Sequence, residues 1–149
     1  MNRIFAVCIT ACWMIVAGAS SQAGEIYTSL FSDKAVSGYD AVSFFSEGGP
    51  VKGSKDHSFV HKGSTWLFSS QANLEAFKAA PEKYEPQYGG HCAWAAAQNY
   101  TAPGDPAYWK IIDGKLYLNY SADVQKDWEQ DIPGFIGKAN LNWPELKKK

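Results

Sequence analysis

Apolar and polar positions alternate along two short stretches of the chain, and a turn signal breaks each stretch in the middle. Ser58-Phe59-Val60-His61 and Thr65-Trp66-Leu67-Phe68 flank Lys62-Gly63-Ser64, a pattern that predicts a β-hairpin. Residues 108–112 and 115–120 flank Asp113-Gly114, the pair that readily supplies the positive φ angles of a type I′ turn, and predict a second hairpin. Helical spacing follows each one. After the first, Ser69 or Ser70 can cap a helix whose apolar side holds Leu74, Ala76, Phe77 and Ala80, until Pro81 ends it. After the second, Ser121 is a fitting cap, and Val124 and Trp128 share a face one turn apart. Residues 81–84 suggest one further turn of helix. Residues 131–134 interrupt the helix after Ser121, and residues 135–141 resume it before Trp143-Pro144.

Upstream of the hairpins, residues 36–45 read as a Gly turn followed by an aromatic, β-branched-rich strand, which Ser46-Glu47-Gly48-Gly49-Pro50 breaks. Residues 52–56 then read as loop. Together these elements predict an α+β architecture: a small antiparallel sheet built of β-hairpins with several short helices packed on it. No internal repeat, low-complexity segment or second-domain boundary stands out in the sequence.

The N-terminus changes the picture of where the domain begins. Asn2-Arg3 supplies a positive start, residues 4–17 an apolar core, and Ser21-Gln22-Ala23 a small-x-small cleavage site, so residues 1–23 read as a cleavable signal peptide. The expectation is a periplasmic or secreted protein with a single domain over residues 24–149, its core over about 36–143. The apolar run is too short to predict stable membrane insertion after the signal is removed. Without Arg3 the formal charge moves from −1 to −2, with no basic face, which argues against a nucleic-acid partner. Lys147-Lys148-Lys149 reads as a solvated end. Cys92 is the one cysteine outside the signal, so an internal disulfide is excluded and stability must come from the aromatic-rich core.

Candidate chemistry gathers in Tyr84-Glu85-Pro86-Gln87-Tyr88-Gly89-Gly90-His91-Cys92-Ala93-Trp94. The Gly pair can turn the chain sharply, and the small apolar residues 93–97 suit a short helix with Cys92 in its first turn. A thiol there would have a lowered pKa and favour thiolate. With the His91 imidazole it forms a soft donor set suited to copper or zinc. His57 and His61 share one face of a strand roughly 13 Å apart, too far to hold one ion, so His61 would have to join His91 and Cys92 through the fold. The plain alternative is Cys92 as a small core residue. A thiol enzyme, with Cys92 as nucleophile, His91 or His61 as base and Asp40 as orienter, lacks a supporting signature, and the expectation is a non-enzymatic protein. A third reading is a module binding a small ligand or a protein partner, with pocket candidates Tyr88, Trp94, Tyr39 and Asp40. Asp40 fits a turn or cap role as well as a ligand role.

The chain resembles the YHS domain family through Trp66-Leu67-Phe68-Ser69-Ser70, Phe77, Pro81, Tyr84, Tyr88-Gly89-Gly90 and Cys92-Ala93. It is more closely similar to the secreted single-domain YHS proteins of bacteria, through Gly38-Tyr39-Asp40 and the Asp-Gly-Lys-Leu-Tyr-Leu-Asn run from Asp113 to Asn119. The resemblance implies handling of a soft metal ion such as copper, since cysteine-bearing forms of the family are thought to bind metal. Those forms carry sulfur where this chain has Ser43, Ser69 and Asn73, which are poor ligands for soft metals.

Overall fold

The computed structural model describes residues 24–149; the signal-peptide expectation falls on residues 1–23 and lies outside the described residues. Both predicted hairpins form. Strand β1 (Ser54–His61) pairs antiparallel with β2 (Ser64–Phe68), and β3 (Asp105–Ile112) with β4 (Lys115–Asn119). Each turn carries two left-handed residues, Lys62-Gly63 at φ 50° and 75°, Asp113-Gly114 at φ 51° and 75°. The α+β class stands, built of hairpins as expected, but the strands divide into two separate two-stranded sheets. Strand β1 also starts earlier than the alternation suggested, because Ser54 pairs with Phe68 beyond an irregularity before Ser58.

The helices follow their caps. In α1 (Gln71–Ala79) the Ser70 side chain accepts from Asn73 N, and Leu74 and Phe77 are buried. Helix α2 (Pro81–Tyr84) has proline in its first turn, where the missing N–H costs nothing. Helix α3 (Ala93–Ala97) is one short turn of alanines around Trp94. In α4 (Ala122–Glu129) Ser121 accepts from Val124 N, and in α5 (Ile132–Leu146) Asp131 accepts from Gly134 N.

One expected strand is absent. Residues 36–45 form two turns instead, because the Asp40 side chain takes the amides of Val42 and Ser43 that a ladder would have needed. The first turn is left-handed over Val36, Ser37 and Gly38, at φ 51°, 52° and 77°. A β-branched residue in that region costs roughly 1–2 kcal/mol, which burial of the Val36 side chain helps offset.

The fold contains a structural repeat that the sequence conceals. Every pair in the β1–β2 ladder has a counterpart 51 positions later, from Ser54–Phe68 and Asp105–Asn119 at the open ends to His61–Ser64 and Ile112–Lys115 at the turns. The irregularity falls at the same place in both. Ahead of each hairpin stands a left-handed turn, the second over Tyr88, Gly89 and Gly90 at φ 57°, 61° and 87°, which lies 52 positions after the first. Asp40 N donates to Val51 O at 2.9 Å, and Cys92 N donates to Ala102 O at 2.8 Å. A serine-capped helix follows each hairpin, burying Phe77 in α1 and Trp128 in α4 at corresponding positions.

The two halves share strand β4. Leu116 and Leu118 point into a core with Phe44, Trp66, Phe68 and Phe77, while Tyr117, on the other face, joins Tyr88, Trp128, Ala139 and Leu146. Full burial of each large apolar side chain contributes about 1.5–3 kcal/mol, so β4 anchors both halves.

Candidate functional site

Asp40 is fully buried, and both carboxylate oxygens are engaged. Oδ1 accepts from Val42 N at 2.9 Å and Ser43 N at 3.3 Å. Oδ2 accepts from Ser69 N at 2.8 Å, Ser69 Oγ at 2.7 Å and Asn73 Nδ2 at 2.7 Å. Ser43 Oγ donates to the Asp40 carbonyl at 2.6 Å and accepts from Val51 N at 3.0 Å. The three positions where the resemblance would put sulfur thus gather around one carboxylate. What they present to it are hydrogen-bond donors, the reverse of what a cation requires, and these residues do not fit a soft metal. Asp40 is therefore a joint, tying the first left-handed turn, the end of β2 and the first turn of α1 together.

Cys92 occupies the corresponding place in the second half. Its thiol lies 3.7 Å from Asn119 Oδ1, which also accepts from Trp94 N at 3.2 Å. A cavity of about 170 Å³ opens beside it, walled by Trp94, Ala95, Tyr100, Tyr120 and Val124. Burial pushes the thiol above its ordinary pKa, against the backbone N–H groups of Ala95, Tyr120 and Trp94, which favour the thiolate. This corrects the expectation of a lowered value. The helix behind Cys92 is only five residues long, and its dipole does not outweigh the loss of water.

His91 points elsewhere, its ring packed on Tyr27 and Trp143 with centroids 5.4 and 5.6 Å away. Its Nδ1 is buried with no hydrogen-bond partner among the described residues. Burial holds the imidazole below its usual pKa, with backbone groups of Gly24 and Ala102 acting in the opposite direction. His61 is engaged in a third place: Nε2 lies 2.6 Å from Glu85 Oε1. His57 Nδ1 sits 3.4 Å from Gln71 Oε1. Among the described residues, no group of three or more His, Cys, Asp or Glu side chains is placed to hold a metal ion.

Glu85 is about nine-tenths buried and lines the floor of a cleft of about 550 Å³. Its second oxygen accepts from Lys62 Nζ at 2.9 Å, and Lys62 also reaches Glu25 at 3.1 Å. Burial works against the lysine charge, yet hydrogen bonds to Glu85 and Glu25, with their charges, hold its pKa above the usual value. Tyr88 and Trp143 supply aromatic wall, and Tyr88 donates to Asn140 Oδ1 at 3.0 Å. Burial, with the neighbouring Tyr117 phenol adding to it, raises the Tyr88 pKa. Glu82 and Lys115 line the same cleft and have no salt-bridge partner among the described residues.

The remaining pocket candidates are scattered. Trp94 walls the cavity beside Cys92, and Tyr39 lines a smaller hollow of about 230 Å³ with Tyr27 and Tyr120. No sequence pattern groups Glu85, Lys62, Asn140 and Trp143. Glu85 stands inside the candidate stretch 84–94, but its neighbours in the cleft come from the first hairpin turn and from α5, and no spacing rule connects them.

Residues 42–88 match the family model of the YHS domain. This segment belongs to the YHS domain family. The matched YHS segment coincides with most of the first structural repeat: it begins two residues after Asp40 and ends at Tyr88, inside the second left-handed turn. Cys92 and its cavity lie in the second repeat, outside the matched YHS segment. Neither the comparison with curated proteins nor that with solved structures returned a match.

Proposed function

We propose that the protein is a small-ligand-binding module that takes a polar molecule of both charges into the cleft floored by Glu85. The observation that supports this reading is a buried carboxylate at the base of an open cleft, already paired with the Lys62 ammonium and in contact with the His61 ring. Because those charges satisfy one another, they shape the cleft without demanding a counter-ion from the ligand. Glu82 and Lys115 remain to meet a cationic and an anionic group, and the Trp143 and Tyr88 rings offer apolar area between them. The soft-metal reading, with Cys92, His91 and His61 as donors, draws less support, since each of the three has separate surroundings.

The test is a titration of isotopically labelled protein with a panel of amino acids and dipeptides, followed by NMR. Saturable shifts centred on Glu82, Lys115 and Trp143, lost in Glu82→Gln and Lys115→Met, are expected. Shifts spread over the surface, or unaffected by both substitutions, would refute the reading.

A further inference from the structure

We propose that Cys92 is an oxidation site, at which a hydroperoxide converts the thiol to a sulfinate that holds the second repeat together as the Asp40 carboxylate holds the first. The inference is independent of the Glu85 cleft. A cysteine sulfinate has the connectivity of aspartate: one Cβ, one central atom, two oxygens and one negative charge. Asp40 shows what this position does with such a group. Its oxygens take the amides of Val42, Ser43 and Ser69. The amides at the matching positions of the second half, Trp94, Ala95 and Tyr120, are the backbone groups that act on the Cys92 thiol, with Trp94 N also donating to Asn119 Oδ1 at 3.2 Å.

The halves differ where the oxidised sulfur would need room. Ser69 and Asn73 fill the space beside Asp40 with side-chain donors. Their counterparts Tyr120 and Val124 instead wall the cavity of about 170 Å³ next to Cys92, ample for a peroxide and for two added oxygens. A second, separate feature also points to an absent acceptor. Asn119 is fully buried, its carbonyl oxygen is turned to the thiol, and its Nδ2 has no hydrogen-bond partner among the described residues. An orphaned buried donor is costly, and turning the Asn119 amide over would present Nδ2, in place of Oδ1, to a sulfinate oxygen. The matching residue in the first half is Phe68, where no such donor is present.

The chemistry balances in two steps. The sulfur attacks the outer oxygen of ROOH, an S–O bond forms as the O–O bond breaks, and ROH leaves with sulfenic acid on Cys92. A second ROOH repeats the transfer, giving sulfinate, ROH and a proton. Sulfur loses two electron pairs in total and each peroxide gains one. Cys92 is the only cysteine among the described residues, so no described thiol is available to divert the sulfenic acid into a disulfide.

The test treats the native full-length chain with hydrogen peroxide and, separately, with tert-butyl hydroperoxide, and maps oxygen addition by peptide mass spectrometry. Two oxygens on the Cys92 peptide, with Tm unchanged or raised, are expected. Cys92→Asp, which installs the carboxylate directly, should match or exceed the Tm of Cys92→Ala. Oxidation only after unfolding, arrest at one oxygen, a lowered Tm on oxidation, or a Cys92→Asp chain less stable than Cys92→Ala would each overturn the proposal.

Discussion

Asp40 and Cys92 stand in equivalent places 52 positions apart, each two residues beyond a left-handed turn and each directed at the end of the hairpin that follows. One is a fully hydrogen-bonded carboxylate, the other a thiol beside a cavity. The comparison within a single chain shows what each site has that the other lacks, and separates a structural joint from a place with room for chemistry.

Asp40→Ala leaves five donors without their carboxylate acceptor, three of them backbone amides, of which Ser43 N alone keeps a second acceptor in the Asp40 carbonyl at 3.1 Å. Loss of more than about 3 kcal/mol is expected in urea unfolding, and about 1.5–3 kcal/mol for Asn73→Ala, which removes one charge-assisted bond. Equal and small effects for both would show that the carboxylate is not the joint.

Gly89 holds φ 61°, and a Cβ there would overlap the carbonyl oxygen of Glu25. The same residue accepts from Tyr27 N at 2.8 Å, fastening residues 24–27 to the second left-handed turn. Gly89→Ala should lower stability by more than about 1 kcal/mol and speed amide exchange at Tyr27. Gly114→Ala, at similar φ but in open space, should cost less.

His91 is kept neutral by burial, so its folded pKa lies below that of the unfolded chain, near 6.5. Below that pH the unfolded chain binds a proton that the folded one refuses. The stability that neutral His91 contributes is present above pH 6.5 and is lost as pH falls through the lowered folded value. Urea midpoints measured from pH 8 down to pH 5 should therefore fall more steeply in the wild type than in His91→Phe.

The raised pKa of Cys92 sets the course of its alkylation. A small reagent such as iodoacetamide should react slowly at neutral pH, with a rate still climbing above pH 9.0, where an ordinary thiol levels off. Filling the cavity with Val124→Phe should slow the reaction further without altering its pH midpoint by the same proportion. A rate already at its plateau below pH 9.0 would contradict the burial argument.

Local rules were sufficient wherever one residue decides the backbone. Asp113-Gly114 forces its turn, Ser70 and Ser121 cap their helices, and the β-branched and aromatic flanks become strands, so the α+β class and both hairpins were legible from spacing alone. The stretch 36–45 was misread because its β propensity lost to a side chain that captures two amides, an interaction propensity does not register. The structural repeat is not legible in the sequence because equivalent positions hold unlike residues, such as Asp40 and Cys92 or Phe68 and Asn119, while burial and hydrogen bonding preserve only their geometry. Likewise, the chain shows that Cys92 is solitary, but only tertiary packing determines that its sulfur is dehydrated rather than activated. The charged cleft has the same origin: His61 and Lys62 come from the first hairpin turn, Glu82 and Glu85 from α2 and its end, and Trp143 from α5, and nothing short of the folded chain brings these three segments to one place.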